Sequence, residues 1–111
     1  TEAHLGCSDP REQVLWLMEA WRAALTLRAE KADIRAVTAW ALLGLVDWDT
    51  MLCQQNHRFE PGALTTRDHA WRSTLLADAI ASLAHGNQFT HPALLSLGWW
   101  QRDDRTYAKR A

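Results

Sequence analysis

A long amphipathic helix that runs into an apolar stretch with no polar face constrains this chain more than any other feature. The stretch "SDPREQ" opens the helix: Asp9 can cap it, Pro10 suits its first turn, and Glu12 stands where a capping box needs an acid. Val14, Leu17, Met18, Trp21, Ala24 and Leu25 then recur at helical spacing, which predicts a helix from about Asp9 to about Lys31. In "ADIRAVTAW", Ile34, Ala36, Thr38 and Trp40 fall on one face of a strand, with Arg35, Val37 and Ala39 on the other. Little on either face is polar after Arg35, as in a parallel strand covered on both sides. A helix feeding such a strand is the second half of a βαβ unit, and the first strand would end in Thr1-Glu2.

Residues 41–68 lack clear periodicity and contain "EPG", which reads as a long structured loop. Trp71, Leu75, Leu76, Ala79, Ile80 and Leu83 form the stripe of a second helix, expected over Ala70–His85 and stopped by Gly86. The tail "HPALLSLGWWQR" reads as a short extended piece before a charged end. The expected fold class is α/β. Two doubly buried strands need neighbours, so the chain is expected to be part of a larger α/β protein.

With 12 basic and 13 acidic residues, the net charge of −1 gives no electrostatic case for nucleic acid or an anionic membrane as partner. No apolar run approaches the roughly 20 residues of a membrane span. The first ten residues lack a charged-then-apolar leader, and the expected location is cytoplasmic. Cys7 and Cys53 read as ordinary thiols, and no His/Cys spacing suggests a metal. His57, His69, His85 and His91 read as surface residues, with His85 favourable at a helix C-terminus.

The compositional outlier is tryptophan, at 7 of 111 residues. Trp16, Trp21 and Trp71 suit helix faces; Trp40, Trp48, Trp99 and Trp100 fall at strand ends or in loops. Ligands of parallel sheets sit at the C-terminal ends of strands. Two such ends are expected side by side here, one at Glu2 and one at Trp40, with Asp47-Trp48 following. Indole rings pack on pyranose C–H faces, and carboxylates accept hydrogen bonds from neighbouring hydroxyls. A carboxylate beneath an anomeric carbon can act as nucleophile. The plainer readings are a core role for Trp40, a loop clasp in which Asp47 caps the next turn, and a structural role for His4.

"TE" at a strand end, a long helix, and then "AVTAWALLGLVDW" resemble the C-terminal part of glycoside hydrolase family 1. That family reads T-E-N-G after its seventh barrel strand and W-S-L-x-D-N-x-E-W after its eighth. The spacing from Trp40 to Trp48 matches, with Asp47 as the acid before the second tryptophan, and "HRFEPGAL" is similar to the family's R-F-G segment. Ala3 replaces the family's Asn, and Gly44-Leu45-Val46 replace its D-N-aromatic segment. The resemblance implies a fold that is the last part of a (β/α)8 TIM barrel, incomplete alone, over residues 1–98, with 99–111 as tail or linker. It implies Glu2 as nucleophile of a retaining β-glycosidase, Trp40 as sugar platform, and Asp47 and Trp48 as hydroxyl-binding residues. His4, just past Glu2, would line the same mouth. The family's acid/base lies after a fourth strand that this chain lacks.

"TEAHLGC", "VTAWALLGLVDWD", "EPGAL" and "HPALLSLGWW" are also similar to bacterial two-part proteins, in which a family-1-like barrel precedes a reductase domain of the dTDP-4-dehydrorhamnose reductase type. The implied partners are a carbohydrate or sugar-nucleotide ligand and the rest of the same polypeptide. No glycine-rich dinucleotide fingerprint occurs in this span, so NAD(P) would belong only to a fused domain. The alternative to hydrolysis is a barrel remnant that binds sugar for such a reductase.

Overall fold

The computed structural model describes residues 2–66 and 70–103. Thr1, His69 and the part of the tail from residue 104 lie outside the described residues. In chain order the elements are β1 (Glu2–Ala3), α1 (Pro10–Ala29), β2 (Thr38–Ala39), β3 (Leu45–Val46), β4 (Phe59–Glu60), β5 (Leu64–Thr65), β6 (Arg72–Ser73) and α2 (Leu75–Ala84).

Helix α1 begins where the capping signal lies. The Asp9 side chain accepts from the Arg11 N–H at 2.9 Å, and Pro10 occupies the first turn. Glu12 does not close a capping box. Its carboxylate instead accepts from the Trp99 N–H at 3.0 Å and from the Arg102 guanidinium, docking residues 99–102 onto the helix. The C-terminus is a Schellman motif: Ala32 N–H bonds Leu27 C=O and Lys31 N–H bonds Arg28 C=O, both at 3.0 Å, with Lys31 left-handed at φ 74°. Helix α2 ends the same way around Gly86 at φ 73°, and His85 Nδ1 donates to the Ala81 carbonyl at 2.7 Å.

Strands β1 and β2 pair in parallel, Glu2 with Thr38 and Ala3 with Ala39, with α1 as the connection. Coverage of β2 differs from the expectation. The stretch around β2 is not covered on both faces: Arg35, Ala36 and Thr38 are exposed, and Val37 and Ala39 are half-buried. The reason is topological, since among the described residues β2 has β1 as its sheet neighbour. The apolar run continues as an extended segment that changes partner. The Ala63 and Leu64 N–H groups donate to the Ala41 and Leu42 carbonyls at 2.8 Å, and β3 then pairs antiparallel with β4. The Trp40–Ala41 peptide bond is cis. Residues 41–66 therefore carry three short strands within the expected loop.

The second helix starts later than its periodicity predicts. The Thr74 hydroxyl donates to the Gly62 carbonyl at 2.8 Å and its N–H to that of Ala63 at 2.9 Å. These bonds hold Arg72–Ser73 extended against β5, and Trp71 lies outside the helix, exposed. Val14, Leu17 and Met18 of α1 meet Leu76, Ala79 and Leu83 of α2 in the main core, and Trp21, Ile80, Phe89 and Leu94 pack around it. The tail is two short 3₁₀ turns, Pro92–Leu95 and Trp99–Gln101, where an extended piece was expected. Trp100 packs edge-on against Trp16 at 4.8 Å and donates its indole N–H to Glu19 at 2.7 Å.

Candidate functional site

The C-terminal ends of β1 and β2 lie side by side, and the Trp40 N–H donates to the Ala3 carbonyl at 3.1 Å. Continuing that register sets His4 beside Trp40, and the two rings meet edge to face with centroids 6.1 Å apart. Trp48 returns over Trp40 from the following loop: the indoles stack at 5.9 Å with 28° between their planes. Stacking leaves each ring at most one open face, and Trp48 is 40% exposed. The Trp40 indole nitrogen is buried and has no hydrogen-bond partner among the described residues. Glu2 is exposed on β1, two residues before His4. Three of the five residues singled out in the sequence, His4, Trp40 and Trp48, thus meet at one end of one parallel pair.

Asp47 is the exception in its chemistry. It is buried, and its carboxylate accepts the Asn56 N–H at 3.0 Å and the Arg58 N–H at 2.8 Å, one on each oxygen. Its own N–H donates to the Arg58 carbonyl at 2.8 Å. These backbone donors, Arg58's first, favour the charged form and hold the Asp47 carboxyl below its ordinary value against the opposing effect of burial. The side chain does not cap the turn Trp48–Thr50 that follows it. It reaches across the loop and clasps the far strand, which fixes the hairpin that carries Trp48.

That hairpin brings in residues the sequence did not single out. Gly44 lies against Phe59: a Cβ there would sit 2.4 Å from the phenyl ring. The missing side chain lets β4 approach closely and sets Glu60 under His4, whose Nε2 donates to Glu60 Oε1. The carboxylate accepts, so His4 Nε2 carries the hydrogen of this bond. The one sequence signal for this partnership was the "HRFEPGAL" segment itself. Beyond Trp48 is a cavity of about 290 Å³, walled by Trp48, Phe59, Glu60, Arg58 and the Gly6–Ser8 turn. Burial raises the Cys7 thiol above its ordinary value, which leaves it protonated and weakly nucleophilic. Both cysteines are free thiols.

Comparisons of the chain with models of protein families, with curated proteins and with solved structures find no match. Among the described residues no group of three or more His, Cys, Asp or Glu side chains converges in a way that could hold a metal ion. Among them, too, no helix is long and apolar enough to cross a membrane.

Proposed function

We propose that the ends of β1 and β2 form a carbohydrate-binding cleft in a domain that resembles the closing part of a family 1 glycosidase barrel. The observation that carries this reading is the stacked Trp40–Trp48 pair at the end of a parallel strand pair, with a buried indole N–H that lacks a partner. Indole faces offer rigid apolar area to a pyranose ring, and the unpaired donor seeks an acceptor such as a sugar hydroxyl. Exposed apolar side chains along the extended run, Leu42 and Leu43 among them, support a domain in which further strands cover it. The two free thiols suit a reducing, cytoplasmic location.

In the hydrolytic form of this reading Glu2 attacks the anomeric carbon. A glycosyl-enzyme intermediate forms, and an acid/base from another part of the barrel protonates the leaving oxygen. The two carboxyl groups of a retaining site lie about 5–5.5 Å apart. A second reading, a sugar- or sugar-nucleotide-binding barrel without hydrolysis, is favoured by Asp47. Its carboxylate is buried and turned to the backbone donors of Asn56 and Arg58, which takes it away from an open cleft. NAD(P) enters only in that reading, through a fused reductase domain.

The two forms separate in one experiment on the full-length polypeptide. Turnover of an aryl β-glycoside that Glu2→Gln abolishes supports the retaining hydrolase. Sugar binding without turnover, weakened by Trp40→Ala, supports the binding module. A flat calorimetric titration against a monosaccharide panel contradicts both.

A further inference from the structure

We propose that His4 is the hydrogen-bond acceptor that sets the specificity of the cleft: Glu60 keeps the imidazole hydrogen on Nε2, and the bare Nδ1 accepts from one hydroxyl of the bound sugar. This rests on the carbohydrate reading above. Three rings meet at the strand ends, those of His4, Trp40 and Trp48. An indole N–H can only donate, so neither tryptophan can accept from a ligand hydroxyl. Asp47, the acid expected to accept there, is buried and engaged by the backbone N–H groups of Asn56 and Arg58. Within this group of rings the acceptor is the imidazole, and which nitrogen accepts depends on where its hydrogen sits.

Glu60 decides that. It is held on β4 opposite Leu45 of β3, its side chain is only 13% exposed, and its carboxylate accepts from His4 Nε2. In the neutral ring this leaves Nδ1 without a hydrogen. His4 keeps 26% of its side chain exposed, and its Nδ1 has no partner among the described residues and is open to solvent. The ring cannot turn freely, because its other contact is edge to face with Trp40 at 62° between the planes. Glu60 is therefore a positioning residue, and His4 is the group that touches the ligand. A sugar hydroxyl both donates and accepts. His4 Nδ1 takes its hydrogen, and the unpaired Trp40 N–H is the donor in the same group. A site built to bond a hydroxyl rejects the analogue that lacks it.

The test is calorimetric titration of the full chain with methyl gluco-, galacto- and mannopyranoside and with their monodeoxy and monodeoxyfluoro analogues. Fluorine keeps a weak acceptor but brings no hydrogen. At one ring position, deoxy and deoxyfluoro analogues are both expected to bind roughly tenfold or more weaker than the parent sugar. His4→Phe keeps a ring against Trp40 and should erase that difference, because the parent sugar then binds as weakly as its deoxy form. Nitrogen-15 spectra of the imidazole in mildly alkaline buffer should show the hydrogen on Nε2 in the parent chain, and a mixture of both tautomers in Glu60→Leu. A deoxyfluoro sugar that binds like its parent at every position overturns the acceptor role. So does a difference that persists in His4→Phe, a uniform loss for every sugar in that variant, or a hydrogen on Nδ1 in the parent chain. Each of these leaves the Trp40–Trp48 cleft standing. Absence of binding to every sugar overturns the carbohydrate reading, and the acceptor with it.

Discussion

Asp47 illustrates how one side chain can look like a ligand-binding group in sequence and serve the loop in three dimensions. Its charged form is stabilised in the fold, so its contribution to stability is fully present above its ordinary value of 3.8 and is lost as pH falls through the lower folded value. Asp47→Asn should lower the thermal midpoint at pH 7, and the gap to the parent should narrow in acid; a gap that stays constant from pH 7 to pH 2 contradicts the clasp. Gly44 makes a second residue-scale case. Gly44→Ala brings a methyl into the Phe59 ring and close to the Glu60 carbonyl, at 2.4 and 2.8 Å. Overpacking of this kind costs about 1–3 kcal/mol, readable by urea unfolding. The positions of Trp40 and Trp48 were legible from their spacing and from the strand-end rule. The Asp47 clasp was not, because it depends on backbone N–H groups of Asn56 and Arg58, which carry no side-chain signature.

The helices were the most legible elements, since capping chemistry and a 3.6-residue stripe are local signals. Where the sequence misled, a distant partner had intervened. Glu12 gave up its capping-box role to Trp99 and Arg102, and Thr74 anchored on Gly62 and Ala63 before α2 began. The antiparallel strands β3 to β6 were illegible for the same reason: each is two residues long and exists through its partner rather than through alternation. The α1–α2 contact carries the core, so Leu17→Ala or Leu76→Ala should cost about 2–5 kcal/mol in denaturant unfolding. Docking of residues 99–102 is different in kind. It rests on partly exposed polar bonds, each worth roughly 0.2–1 kcal/mol, together with the edge-on Trp16–Trp100 contact. Glu19→Ala should therefore change global stability little while shifting Trp100 indole emission to the red. A large loss of stability would show that this segment belongs to the core.

At the scale of the whole molecule, the balance of covered and uncovered surface is the informative quantity. Leu42 at 67%, Met51 at 78% and Leu52 at 66% exposure lie along one continuous run of chain. Apolar surface of this extent associates or is covered by further structure. Sedimentation of the 111-residue chain should show concentration-dependent association that Leu42→Lys with Leu52→Lys suppresses; a monomer at all concentrations would argue against covering strands. The parallel β1–α1–β2 unit could be anticipated because it follows from one helix and one apolar strand. The central claim, a sugar cleft built on Trp40 and Trp48, is tested most directly by nitrogen-15 indole NMR spectra during titration with methyl glycosides. The account predicts that the Trp40 and Trp48 indole N–H signals move on binding while those of Trp16, Trp21 and Trp100 stay fixed. Unmoved Trp40 and Trp48 signals at saturating sugar would contradict it.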